Sequence, residues 1–374
     1  MIYYNLYNKI LIELSSSISK SIQRQINFQI NWFKQSPNKK PTHCKKIIRI
    51  NNYSSFDASK YNLKTIFHLT QGSKTTFHNP NKKLAVIKTE KGFDIYAHRY
   101  GFILNQYLQI LLLECGISFV HAGGVVDDKG KAILFPGPGG VGKTAVLNLF
   151  LEKKGYKLLG DDIIGIDSKG NCYPFPREFV LKPYHYNEYQ EIFKSHNVTL
   201  TDFNKKGLIE NNKNILNSSF IKKADLYILR NLPFYGVLLS LWYRLGFYKI
   251  SKTSTSYFTV PVEKIYGENK VALIGEIDKI YFLHRVSSDK IDSDVITIES
   301  LVSRMFSVIN HEWCEGSRDL FSIGAFEFIN LKEYFDKTYS IINGFVGSSN
   351  KNQIIHINKK ASPKELQNFV QSQL

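Results

Sequence analysis

Between an apolar run at 131–135 and a helix-patterned run that begins at Ala145 lies Gly137-Pro138-Gly139-Gly140-Val141-Gly142-Lys143-Thr144. Glycine tolerates positive φ and lets other groups approach the backbone, so this spacing frees a loop to fold tightly. The runs on either side read as a β-strand entering the loop and an amphipathic helix leaving it. Strand, glycine-rich loop and helix in that order make the context that a phosphate-binding P-loop requires.

The chemistry follows from charge. A triphosphate crowds negative charges together, and the backbone N–H groups of residues 137–142 can converge on its oxygens at the positive end of the following helix. Lys143 supplies a mobile cation for the outer phosphates. The Thr144 hydroxyl can join the coordination of Mg2+.

Spacing then selects a second group. A helix of about 12 residues advances about 18 Å, and a strand rising about 3.3 Å per residue returns in about six residues. Counted from Tyr156, the return ends at Asp161 and Asp162. One carboxylate can hold Mg2+ and the other can accept the proton of an attacking hydroxyl, as phosphoryl transfer demands. His121 lies late in the strand 117–126, which a tight turn at 127–130 folds onto 131–135 as a hairpin. If the two strands pair, its ring lies near the loop to contact phosphate or donate a hydrogen bond, although a core histidine is the commoner use of such a position.

Together these residues resemble a family. His121-Ala-Gly-Gly, the hairpin, Gly-Pro-Gly-Gly-Val-Gly-Lys-Thr and Leu-Leu-Gly-Asp161-Asp162 at short spacing are similar to the catalytic domain of HPr kinase/phosphorylase and its relatives. That domain shares the nucleotide-binding fold of phosphoenolpyruvate carboxykinase. The resemblance implies an α/β core with a mixed sheet, preceded by a small α+β region. It also implies a catalytic role for His121 and Lys143, a base role for Asp161 and a Mg2+ role for Asp162 beside Thr144. Gly137, Pro138, Gly139, Gly140, Val141, Gly142, Lys143 and Thr144 would bind ATP or another nucleoside triphosphate. The resemblance covers about 116–167 well and 279–308 more loosely. The family's second glycine-containing stretch is not found, so HPr itself is not the expected acceptor. Arg177, Glu178, Lys182 and Arg285 are candidate phosphate or metal contacts.

The expected organisation is an N-terminal α+β region at 1–112, a kinase-like domain at 113–335 and a C-terminal extension at 336–374. Within it, 1–51 reads as peripheral helices and 63–96 as a small sheet. A buried helix at 102–114 is stopped by Gly116, and core strands lie at 271–274 and 279–283. A helix follows at 297–308. Further on, 347–352 reads as a linker before a short strand at 353–357. Ser362, Pro363 and Glu365 announce a helix with a capping box.

Composition narrows the partners without naming one. The net charge of +17 favours polyanions, but the lysines are spread along the chain rather than gathered in one arm. No helicase-type motif or basic-aromatic cluster marks a nucleic-acid site. Cys44, Cys115, Cys172 and Cys314 form no CxxC pair, which fits a reducing compartment and a cytoplasmic protein. The apolar stretch 232–243, between Arg230 and Arg244, is shorter than the roughly 20 residues that span a bilayer. It suits core packing, a partner groove or a peripheral contact at the inner membrane face. The expected reaction is phosphoryl transfer to a hydroxyl of a protein, peptide or small molecule, by a chain that self-associates. A nucleotide-operated switch or assembly protein is the alternative.

Overall fold

Tyr7 and Asn8 both take a φ of 56°, the left-handed pair of a type I′ turn, closed by Lys9 N–H donating to the Leu6 carbonyl at 3.0 Å. The turn joins β1 (Ile2–Leu6) to β2 (Ile10–Leu14) in an antiparallel hairpin. The computed structural model describes residues 1–36, 40–41, 43–60, 66–71, 74–181, 194 and 258–374. Helices do not dominate the first 51 residues as expected: α1 (Lys20–Ile30) is followed by another strand, β3 (Lys46–Asn52). Every residue of β2 is buried, so no polar alternation marks it as a strand.

A meander of β4 (Phe67–Gln71), β5 (Lys74–Asn79), β6 (Leu84–Thr89) and β7 (Gly92–Ala97) completes a seven-stranded sheet in the order β1-β2-β3-β7-β6-β5-β4. Then α2 (Gly101–Glu114) ends as its sequence predicts, with Gly116 at φ 74° beyond the last turn.

The second sheet is built from β8 (Ile117–Val120), β9 (Ala122–Val126), β10 (Lys131–Pro136), β11 (Lys157–Gly160), β12 (Ile164–Asp167) and β13 (Asn171–Tyr173). The helix α3 (Lys143–Leu151) follows the glycine-rich loop. β14 (Phe179–Leu181) pairs antiparallel with β15 (Phe258–Val260) in a separate compact unit, 179–261. After α4 (Val262–Tyr266), the strands β16 (Gly275–Val286) and β17 (Asp292–Val295) return to the second sheet. Three helices follow, α5 (Ile298–Glu312), α6 (Cys314–Ala325) and α7 (Leu331–Gly347), then β18 (Lys351–Asn358) and α8 (Pro363–Ser372). The sheet order is β11-β9-β10-β16-β13-β12-β8, with β18 on β16 and β17 on β18.

Both sheets mix parallel and antiparallel pairs, so the fold class is mixed α/β. Both belong to one compact unit of 1–178 and 262–374. Residue 112 lies within α2 and residue 336 within α7.

Two departures from the sequence expectation matter for the site. The strand 117–126 breaks at His121: β8 pairs with β12, while β9 pairs with β10 and β11 at the other end of the sheet order. His121 is therefore the joint between two strands with different neighbours. The segment 271–274 is not a strand. Val271 makes a single bridge to Leu158, and Leu273 and Ile274 are 81% and 51% exposed.

Alternation along β10 sends its side chains two ways. Leu134 joins Ile280, Phe282 and Ile354 in a core against Leu301 and Met305 of α5 and Ile342 and Phe345 of α7. Phe135 instead meets Phe150 of α3, with ring centroids 5.6 Å apart. Each such buried side chain contributes about 1.5–3 kcal/mol, which fixes the strand end that carries the loop. At the C-terminus, Ser362 and Glu365 form the expected capping box. Among the described residues no helix is long and apolar enough to cross a membrane. The stretch 232–243 with Arg230 and Arg244, and Lys182, lie outside the described residues.

Candidate functional site

The loop leaves β10 under pressure from two neighbours. A Cβ on Gly137 would sit 2.6 Å from the Leu283 carbonyl oxygen of β16, so only glycine lets the chain pass there. Gly142 takes a φ of 114°, and a Cβ on it would lie 2.7 Å from Leu366 Cδ2 of α8. The same helix is fastened to α3 by Gln367 Nε2, which donates to the Ala145 carbonyl at 2.8 Å. Val141, within the loop, is buried.

Lys143 is 4% exposed, and its ammonium donates to the carbonyls of Gly137 and Pro138, each at 3.0 Å, and to His121 Nε2 at 2.9 Å. An ammonium can only donate, so Nε2 accepts and the ring carries its proton on Nδ1. Burial, helped by the charge of Lys143, pushes the His121 pKa down to about 4, which keeps the ring neutral. Burial also lowers the pKa of Lys143, against the opposing pull of Asp162, Asp161 and Glu312.

Asp161 and Asp162 leave β11 through a sharp turn. A Cβ on Gly160 would lie 2.4 Å from the Ile163 carbonyl oxygen. Asp162 takes a φ of 86°, a left-handed conformation that costs a residue with a side chain about 1 kcal/mol or more. Strain of this kind clusters at functional sites. The turn sends the two carboxylates to different surroundings. Asp161 accepts from Thr144 Oγ1 at 2.8 Å through Oδ2, while its Oδ1 is buried without a hydrogen-bond partner. Burial first, and the neighbouring Asp162 second, push its pKa up to about 7, partly offset by the Thr144 bond, Lys143 and Arg177. Asp162 is 43% exposed in its side chain, with Oδ1 4.0 Å from His121 Nε2.

No family model matches the chain, and no curated protein does. The site has a geometry of its own.

That geometry brings His121, the loop, Lys143, Thr144 and both aspartates together. It also adds a residue that sequence spacing did not single out. Glu312, the last residue of α5, accepts the Gly139 N–H at 2.6 Å, although 173 positions separate them. A carboxylate at a helix C-terminus meets the negative end of the dipole, so Glu312 is held there by the donor-rich loop. Nothing local in the sequence marks it. The other candidates divide. Arg177 lies within electrostatic reach of His121 and both aspartates. Arg285 is committed elsewhere, its Nη1 donating to the carbonyls of Asn358 and Lys359 at 3.3 and 3.2 Å. Glu178 donates its N–H to the Phe28 carbonyl at 3.4 Å.

Proposed function

We propose that the protein is a Mg2+-dependent phosphotransferase that moves the γ-phosphoryl group of ATP, or another nucleoside triphosphate, to a hydroxyl on a protein, peptide or small molecule. Its core would be HPr kinase-like, with the nucleotide-binding fold of phosphoenolpyruvate carboxykinase. The observation that carries this reading is the 2.8 Å bond from Thr144 to Asp161, because it returns the aspartate pair to the phosphate loop after one short helix and one strand.

Magnesium fits the donors. Thr144 Oγ1 and the two oxygens of Asp161, one buried and unpartnered, offer the few hard oxygen ligands that Mg2+ takes alongside phosphate and water. A bound Mg2+ would neutralise charge on the β- and γ-phosphates. In the bond exchange, the acceptor oxygen forms a bond to the γ-phosphorus as the bond to the β,γ-bridging oxygen breaks. The electron pair leaves with the nucleoside diphosphate, and the acceptor proton passes to a carboxylate.

Burial divides the pair. Asp161 sits inside against Thr144, on the side where a metal would be held, whereas the Asp162 side chain is 43% exposed, on the side from which a hydroxyl would arrive. We therefore exchange the roles that the family resemblance implies: Asp161 for the metal, Asp162 for the proton. Lys143 must release the loop carbonyls to reach the outer phosphates. His121, neutral and bonded to Lys143, holds that ammonium near the loop.

The test uses labelled ATP with serine peptides and polyol acceptors. Asp162→Asn should keep Mg2+-nucleotide binding and lose transfer. Full-rate transfer by that variant would return the base role to Asp161. A nucleotide-operated switch is the second reading, favoured by Glu312, which occupies a loop N–H until a ligand displaces it. Tight nucleotide binding with no phosphorylated acceptor would support the switch.

A further inference from the structure

Arg177 is a cation beside the aspartate pair that the reaction above leaves unassigned. The backbone places it with care. Phe175 N–H donates to the Leu159 carbonyl at 2.8 Å, and a Cβ on Gly160 would come within 3.1 Å of the Phe175 carbonyl oxygen. The segment carrying Arg177 therefore runs against the residues that deliver Asp161. Arg177 N–H then donates back to the Phe175 carbonyl at 2.9 Å, a tight local turn. Its guanidinium lies over the ring of Phe28, 4.9 Å from the centroid, and Phe28 belongs to α1 of the N-terminal region. The Nε is buried with no hydrogen-bond partner.

Packing alone does not account for this arrangement. A stacked guanidinium with its donors in solvent would be ordinary, but here a buried donor is left open beside two carboxylates. An arginine carries its donors in a rigid planar fork that matches the oxygens of a phosphoryl group. Stacking on Phe28 fixes the plane of that fork without using its donors.

We propose that Arg177 is a catalytic residue of this site, binding the equatorial oxygens of the γ-phosphoryl group during transfer, with Phe28 as the residue that positions it. The inference rests on the phosphotransferase reading above. In that step the phosphorus leaves the β,γ-bridging oxygen for the acceptor oxygen, and the guanidinium bears part of the charge spread over the three equatorial oxygens. It forms no covalent bond and moves no proton. One consequence is that the N-terminal region, through Phe28, belongs to the catalytic machinery.

The experiment compares full-length wild type with Arg177→Ala, Arg177→Lys and Phe28→Leu, each checked for a native melting transition. Two ligands are used with Mg2+: ADP, and ADP with aluminium fluoride as a mimic of the transferring group. Arg177→Ala should bind ADP nearly as wild type does and lose affinity for the aluminium fluoride complex by roughly 10²–10³-fold. Hydrolysis of ATP by water should fall in parallel, and added guanidinium should restore part of it. Arg177→Lys, which keeps the charge but not the fork, should lose most of the discrimination, and Phe28→Leu part of it. If Arg177→Lys or Arg177→Ala holds the aluminium fluoride complex as tightly as wild type, or loses both ligands equally, the catalytic role is overturned. Should Arg177→Ala not fold, Arg177→Lys and Phe28→Leu decide the matter alone. Failure of the wild type to bind either ligand would instead strike at the phosphotransferase reading itself.

Discussion

Glu13 and Asp161 are two carboxylates set into the two sheets, and they are treated in opposite ways. Glu13, on β2, is 5% exposed and lies between Arg49 Nε at 3.0 Å and Lys40 Nζ at 2.7 Å. Arg49 also reaches Asp94 at 3.0 Å, so charge is balanced across three neighbouring strands. Asp161, just past β11, has a single hydroxyl as its donor, and the pull of Lys143 and Arg177 on it is outweighed by burial and the charge of Asp162. At Glu13 the N-terminal region answers a buried carboxylate with two cations of its own. The second sheet leaves a buried oxygen and a strained neighbour for something outside the chain to satisfy. A folded protein retains such a group at the cost of stability, and a ligand can recover that cost on binding.

The sharpest way to break this contrast is Asp162→Asn in the transfer assay. Loss of the proton acceptor should reduce transfer by roughly 10²–10⁴-fold with nucleotide affinity retained. An unchanged rate would place Asp162 outside the chemistry.

Stability should move in opposite directions in the two sheets. Glu13→Gln removes the shared partner of Arg49 and Lys40, both partly exposed, and should destabilise by roughly 1–2 kcal/mol after solvent screening is allowed for. Asp161→Asn removes a buried charge that Thr144, Lys143 and Arg177 only partly compensate, and should stabilise the ligand-free protein at pH 8 by roughly 1–3 kcal/mol. Chemical denaturation at one pH measures both, and two shifts of the same sign would end the comparison.

The pH dependence sharpens it further. Asp161, with its pKa raised to about 7, contributes stability that is present near pH 4 and lost as the pH rises through 7. His121, with its pKa lowered to about 4, contributes stability that is present above its ordinary value near 6.5 and lost on acidification through that range. The two slopes oppose each other between about pH 4 and 6.5. Melting of the wild type should therefore be flat there, while Asp161→Asn should lose stability steadily on acidification, read by thermal scans from pH 8 to pH 5.

The smallest expected effect concerns the loop. Glu312→Gln removes a charge that competes with phosphate for the Gly139 N–H and should tighten ADP binding by roughly five- to tenfold. Weaker binding in that variant would make Glu312 a support of the loop rather than its resting occupant.

Much of this site was legible in order along the chain. The loop, Lys143 and Thr144 are contiguous, and the return of Asp161 follows from the rise of a helix and a strand, so local geometry carries the prediction. The hairpin β9/β10 and the Ser362 cap were likewise written in a turn and a capping box. The first 51 residues were misread because a strand buried on both faces offers no period to count. The segment 271–274 was misread because its apolar residues are exposed rather than paired.

By itself, then, the sequence determined a glycine-rich loop between strand and helix and the two carboxylates that come back to it, because short-range geometry fixes both. Only the tertiary structure decided which aspartate lies inside, that His121 is a neutral acceptor for Lys143, and that Glu312 and Arg177 flank the site. Those outcomes depend on burial and on partners up to 173 positions away, which no local pattern encodes.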